Sequence, residues 1–219
     1  MNDKLHQAAL RIRARGIFLG GTIGTFESHG RDQFIRLLRH GLNPDSTLLD
    51  IGCGCLRGGF WTIRFLESGC YFGIEPNREM LAVGQAEIVG EAMLAEKGPR
   101  FDGNAAYDFS VFGERKAFDF VMAGSIWTHA PRGDIDVMMG QFRQHSHAGS
   151  VFLGSFVRTD GEGYTGNTWV GKSHESDKAG LVSHRFESLR AMAATHGLAL
   201  THLEPQKRNC ISWLKMTRG

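Results

Sequence analysis

Two acidic residues close two short apolar runs: Asp50 within Leu48-Leu49-Asp50-Ile51-Gly52-Cys53-Gly54, and Glu75, 21 residues beyond Gly54, at the end of the run from Cys70 to Ile74. Runs of this kind, the first preceded by the turn signal Asn43-Pro44-Asp45, read as parallel strands buried on both faces. Gly52 and Gly54 carry no Cβ, so the chain can turn tightly there and approach a ligand, with backbone amides expected to face it. Pro76, which lacks an N–H, suits a strand end. Two strand ends thus aim carboxylates into one crevice. The chemistry on offer is recognition of a nucleoside, with Glu75 taking paired hydroxyls and Asp50 taking a cation.

The spacing Gly52-x-Gly54-x-x-x-Gly58 also fits a variant of the dinucleotide fingerprint. Asp50 argues for a different ligand. A dinucleotide would set an anionic pyrophosphate over this turn, whereas S-adenosylmethionine brings an ammonium and a sulfonium. A short-chain dehydrogenase would also need Tyr-x-x-x-Lys, in which the Lys lowers the phenol pKa. Tyr71, Tyr107 and Tyr164 lead to Glu75, Val111 and Thr168, so none has that partner. Other dehydrogenase classes stay open on this evidence.

With these motifs in order, the chain resembles class I S-adenosylmethionine-dependent methyltransferases from about Gly41 to its C-terminus. Asp50-Ile51-Gly52-Cys53-Gly54 is similar to that family's first motif, and Tyr71-Phe72-Gly73-Ile74-Glu75-Pro76 to its second. Tyr107-Asp108-Phe109 falls where the family meets the adenine. The segment from Phe118 to Pro131 resembles its fourth strand and loop. The resemblance implies a Rossmann-like α/β fold: a seven-stranded, mostly parallel sheet with helices on both faces and an antiparallel C-terminal strand. It assigns Asp50, Gly52, Cys53, Gly54, Glu75, Asp108, Phe109 and Ser125 to the cofactor, S-adenosyl-L-methionine, with S-adenosyl-L-homocysteine as product.

Methyl transfer from a sulfonium asks mainly for alignment and exclusion of water. A hydroxyl acceptor also needs a proton acceptor, and His129, on the loop after the fourth strand, is the candidate base. The alternative is that His129 only holds its loop. The acceptor pocket is expected in an insertion over residues 158–182, with Trp169 and Tyr164 covering a ring and His174 and Arg158 meeting its polar groups. Residues 1–42 are expected to form a helical and hinged lid, with Glu27 and His29 as possible contacts. The first functional reading is methylation of a small molecule or sugar on oxygen. The alternatives are an RNA or protein methyltransferase, and a catalytically silent partner subunit that binds the cofactor.

The elements that must position these groups follow from composition and periodicity. A chain of 219 residues with 25 Lys and Arg against 23 Asp and Glu, net +2, suits one α/β domain and gives no strong nucleic-acid signal. No membrane-length apolar run or signal segment is evident, so a cytoplasmic monomer or homodimer is expected. Arg11, Arg13 and Arg15 read as a solvated cluster. Cys53-x-Cys55 and His145-x-His147 lack enough convergent ligands for zinc, so no metal is expected. Cys70 and Cys210 read as small hydrophobes. His145 and His147 read as cations at a helix C-terminus. Helices are expected over residues 2–15, 31–40, 56–66, 77–95, 131–144 and 183–196, and strands over 47–51, 70–74, 100–104, 118–123, 150–157, 198–204 and 210–216. Residues 16–30, rich in glycine, read as a mobile loop.

Overall fold

A computed structural model describes residues 3–113, 117–171, 180–203 and 211–219. The chain divides into two compact units, Met1–Ala105 and Ala106–Gly219. In the first, α1 (Asp3–Ala14) and α2 (Phe26–Arg39) precede β1 (Leu48–Ile51), α3 (Gly59–Phe65), β2 (Tyr71–Ile74), α4 (Arg78–Gly84), α5 (Glu91–Lys97) and β3 (Arg100–Asp102). β2 lies between β1 and β3, parallel to both, with Asp50 opposite Gly73 and Ile51 opposite Ile74. Every residue of β2 is buried, as a central parallel strand requires. Leu5, Ala8, Ala9 and Ile12 form the buried face of α1 as their spacing predicts.

The second unit contains β4 (Phe120–Ala123), α6 (Arg132–Gln144), β5 (Val151–Arg158), the two-residue β6 (Ser183–His184), α7 (Phe186–Thr195), β7 (Leu198–Leu203) and β8 (Ile211–Arg218). β4 and β6 run parallel to β5, while β8 is antiparallel to both β5 and β7. The expected antiparallel C-terminal pair is therefore present. Trp127, Phe142, Phe152 and Phe156 are fully buried around β5. Each such side chain contributes about 1.5–3 kcal/mol by leaving water. No described helix is long and apolar enough to cross a membrane.

Several boundaries differ from the expected ones for identifiable reasons. α2 begins at Phe26 and takes in the last third of the segment read as a mobile loop. Gly30 sits inside it because a Cβ there would lie 2.4 Å from the Arg57 carbonyl oxygen; it marks close packing rather than a hinge. On the same helix Leu37 and Arg36 are buried while Leu38 is exposed, so its inward face does not follow hydrophobicity alone. The helix after the glycine turn starts at Gly59, because Leu56 has left-handed backbone, φ 61°. Asn77 does cap α4, its Oδ1 accepting from the Met80 N–H at 2.9 Å. That helix passes into a π turn, Gln85–Val89, and breaks at Gly90, φ 85°, instead of continuing to residue 95. Ser183 belongs to β6, not to α7.

Candidate functional site

In the first unit the turn after β1 is built on Glu75. Its Oε2 accepts from the Gly54 N–H and its Oε1 from the Asn77 N–H, each at 2.9 Å, and the residue is almost fully buried. The Gly52 and Cys53 N–H groups both donate to the Ile74 carbonyl, at 2.8 and 3.1 Å. The amides expected to face a ligand are therefore engaged within the chain. A carboxylate oxygen has room for more than one donor, so Glu75 keeps acceptor capacity for two hydroxyls. Gly52 and Gly54, at φ 66° and 57°, adopt a backbone that other residues enter only at a cost. Gly73 has a local reason too: a Cβ there would lie 2.8 Å from the Cys53 sulfur, so the strand is shaved to admit that side chain.

Asp50 sits beside this turn and accepts from the Tyr71 hydroxyl at 2.8 Å. Although the residue keeps partial exposure, burial of the carboxyl pushes it up to about 7; Tyr71 opposes this, Glu75 adds to it and Arg57 opposes it. The Cys53 thiol is held well above its ordinary value by burial and by Asp50 and Glu75, so it is a neutral, packed group. Arg57 is the residue of this turn that motif reading missed. Its Nη1 donates to the Gly20 carbonyl at 3.1 Å, bringing the glycine-rich N-terminal segment to the turn. A basic residue three positions beyond Gly54 was the available signal.

In the second unit the loop after β4 carries Ser125 and His129. Ser125 has φ 62° and donates its N–H to the buried Ser155 Oγ at 2.7 Å. His129 Nδ1 lies 2.6 Å from the Val170 carbonyl oxygen, and the Val170 N–H donates back to the His129 carbonyl at 3.0 Å. A carbonyl only accepts, so Nδ1 carries the proton, and neutral His129 has its lone pair on Nε2. The ring stacks on Trp169, centroids 5.5 Å apart. Gly171 leaves the space for it: φ is 136°, and a Cβ would fall 2.5 Å from Nδ1. The structure thus brings His129 and Trp169 together. Beneath them the fully buried His184, also missed from the sequence, places Nε2 3.2 Å from the Ala130 carbonyl.

The other candidates are placed differently. Asp108 Oδ1 caps a short 3-10 turn by accepting from the Ser110 N–H at 2.8 Å, and hydrogen bonds from the Ser110 hydroxyl first and its N–H second hold the carboxyl below the usual range. The Phe109 N–H donates to Gln141 Oε1 at 3.0 Å, and the Phe109 ring is wholly buried. Tyr164 donates its hydroxyl to the Thr168 carbonyl at 2.9 Å, closing its own loop. Arg158 pairs with exposed Asp160 at 3.3 Å. His174 and Cys210 lie outside the described residues. Glu27 pairs with Arg31 along α2, and burial lowers the pKa of His29, with Arg57 adding to the effect.

The basic and sulfur-rich motifs resolve as structural pieces. Arg11 and Arg15 are not simply solvated: both bond Glu87, at 2.7 and 2.8 Å. His147 Nε2 meets Asp119 at 2.8 Å while its Nδ1 accepts from the Gly149 N–H. His145 stands at the C-cap of α6, the helix end expected for it; burial lowers its pKa and Asp108 opposes that. Cys53, Cys55 and Cys70 are free thiols. Among the described residues no group of three His, Cys, Asp or Glu could hold a metal ion.

The alternation of strand and helix, the parallel ladders and the antiparallel β7–β8 pair define the Rossmann-like α/β fold of class I S-adenosylmethionine-dependent methyltransferases. The chain is similar to the magnesium protoporphyrin IX methyltransferase of Synechocystis PCC 6803 with bound SAM: TM-score 0.61, 13% identity, 90% of this chain and 81% of that one. It is also similar to the glycopeptide N-methyltransferase MtfA, with TM-score 0.64, 13% identity and coverage of 87% and 90%. For the DhpI–SAH complex the TM-score is 0.61 and the identity 13%, over 100% of this chain and 99% of the other. No family model and no curated protein matches the sequence.

Proposed function

We propose that the protein is an S-adenosylmethionine-dependent methyltransferase that acts on a hydroxyl of a small molecule or sugar. The observation that carries this reading is the Glu75 carboxylate, buried at the end of β2 and oriented through one amide on each oxygen. Its remaining lone pairs fit the ribose diol, and each charge-assisted bond contributes about 1.5–3 kcal/mol. Asp50, enclosed beside the same turn, fits the ammonium. The similar solved structures, in complexes with SAM, SAH or sinefungin, support the choice of ligand.

When bound, the cofactor supplies an electrophilic methyl group on sulfur. The residues of this chain hold it and handle the proton. We assign Glu75 to the ribose, Asp50 to the ammonium and Asp108 to the adenine. Gly52, Cys53 and Gly54 shape the turn, and Ser125 shapes the loop after β4. His129 accepts the acceptor hydroxyl proton at Nε2, its Nδ1–H remaining on the Val170 carbonyl. Trp169 forms an apolar wall for the acceptor. Calorimetric titration with S-adenosylmethionine, S-adenosylhomocysteine and NADPH tests the reading. Micromolar binding of the first two without the third is expected; binding of NADPH alone overturns it.

A further inference from the structure

The first unit holds a cavity of about 490 Å³ lined by α1, α3 and the π turn Gln85–Val89, and none of the residues assigned to the cofactor lines it. That volume lies within the range of small-molecule sites. Its apolar lining comes from Leu5, Ala8, Ile88 and Val89, all buried, and from Phe60. Lys4, Gln7 and Arg11 follow one another on α1 at the i, i+3 and i+7 positions of a single helix face.

Arg64 holds the other walls in place. In the π turn the Gly90 N–H reaches back to the Gln85 carbonyl at 2.8 Å. Arg64 Nη2 donates to the Ile88 and Val89 carbonyls at 3.2 and 3.3 Å, and its Nη1 to the Phe60 carbonyl at 2.7 Å. The same guanidinium lies 4.0 Å from the centroid of the Phe60 ring. One side chain thus fixes ring, helix and turn around the cavity, and walls fixed in advance lower the cost of ordering a ligand there. π turns of this kind are frequent at functional sites.

The charge of the lining narrows the ligand. Lys4, Arg11 and Arg64 face a single carboxylate, Glu87, which already accepts from Arg11 on one oxygen and from Arg15 on the other. Arg11 gives Glu87 its Nε–H, which leaves the two amino groups of its fork for a second acceptor. The exposed Lys4 ammonium stands one turn and more along the same face. An excess of positive charge selects an anion, the presence of Glu87 favours a single charge over a double one, and the apolar lining asks for an organic body.

We propose that this cavity is a second small-molecule site, separate from the cofactor turn, for an organic monocarboxylate whose apolar body rests on Leu5, Ala8 and Val89 and whose carboxylate meets Lys4 and Arg11. It is independent of the cofactor reading above.

The test is calorimetric titration of the full chain with naphthoate, the neutral naphthamide and the cationic naphthylmethylammonium, with and without saturating S-adenosylhomocysteine. Naphthoate is expected to bind about tenfold more tightly than the amide, the lower end of what a charge-assisted bond gives, and the cation not to bind. Lys4→Gln should weaken naphthoate about fivefold, as suits a solvated charge, and leave the amide unchanged. Amide-resolved NMR of the wild type locates the site even where Lys4→Gln fails to fold, with naphthoate shifting residues 4–11 and 85–90. Absence of naphthoate binding at millimolar concentration, equal affinity for the anion and the amide, full naphthoate affinity in Lys4→Gln, shifts confined to other residues, or displacement by S-adenosylhomocysteine each overturns the proposal. Failure of S-adenosylhomocysteine itself to bind, with naphthoate bound as expected, sinks the cofactor reading and leaves this site standing.

Discussion

The turn around Glu75 and the loop around His129 are held by opposite means. In the first, a side-chain carboxylate gathers backbone N–H groups, and the neighbouring amides are spent on the Ile74 carbonyl. In the second, a side-chain imidazole gives its proton to a backbone carbonyl and leans on an indole. The first arrangement fixes the backbone and leaves acceptor capacity on a carboxylate. The second fixes a tautomer and an orientation of an imidazole. A region that must hold one ligand in one pose benefits from the former; a region that must take up a proton benefits from the latter.

The strongest way to break this comparison is Glu75→Ala. It strips the Gly54 and Asn77 amides of their acceptor in a buried setting, at about 1–3 kcal/mol each. Urea denaturation is expected to show a loss of about 2–6 kcal/mol. S-adenosylmethionine affinity should fall by roughly 10²–10⁴-fold as two bonds to the diol disappear. Unchanged affinity would remove Glu75 from the ribose, and unchanged stability would show that the turn stands without it. His129→Asn comes next. Loss of a general base costs roughly 10²–10⁴-fold in turnover, while calorimetry should find cofactor affinity unaltered. A full retention of turnover would leave His129 as a loop-holding residue only.

Gly171→Ala probes the same loop without touching the imidazole chemically. The new methyl would sit 2.5 Å from Nδ1 at a φ of 136°, so the His129 ring must move or the chain must shift. A displacement near 1 Å costs about 10²-fold in rate. Turnover that falls with cofactor affinity unchanged would show that the Val170 carbonyl sets the working position of the ring. Wild-type turnover would show that the ring position is immaterial.

Local pattern made part of this legible. The apolar runs ending in Asp50 and Glu75 gave β1 and β2, and the Asn77 cap and the α1 face followed from residue type and spacing. What escaped the sequence depends on contacts distant along the chain. The fate of the Gly52 and Gly54 amides is decided by Ile74 and Glu75, and the need for glycine at position 30 by the Arg57 carbonyl. Among the described residues three non-glycines have left-handed backbone: Leu56, where the sequence predicts the start of a helix, and Tyr107 and Ser125, in segments assigned to the cofactor. Such conformations cost about 1–3 kcal/mol apiece and persist where the surroundings enforce them. Nothing in a leucine, a tyrosine or a serine announces that. Arg57 escaped because its neighbour Gly20 is 37 residues away, and composition alone made it one more surface cation.

The smallest expected effect is a pH dependence confined to the turn. Burial raises the Asp50 carboxyl from 3.8 to about 7, so folding favours its protonated form between those values. The sign follows: without ligand, the Asp50 contribution makes stability decline as pH rises from about 4 to 7 and then level off. An ammonium group requires the ionised form. Affinity for S-adenosylhomocysteine should therefore rise about tenfold between pH 6 and pH 8, as the ionised fraction grows. Asp50→Asn should flatten that profile and bring affinity at the higher pH down toward the acid value. The imidazole loop offers a contrast within the same experiment, since His129→Asn should leave this binding profile untouched while altering the pH dependence of turnover. A wild-type affinity that is flat from pH 6 to pH 8 would mean that the ammonium is met elsewhere, and that Asp50 serves Tyr71 and the turn alone.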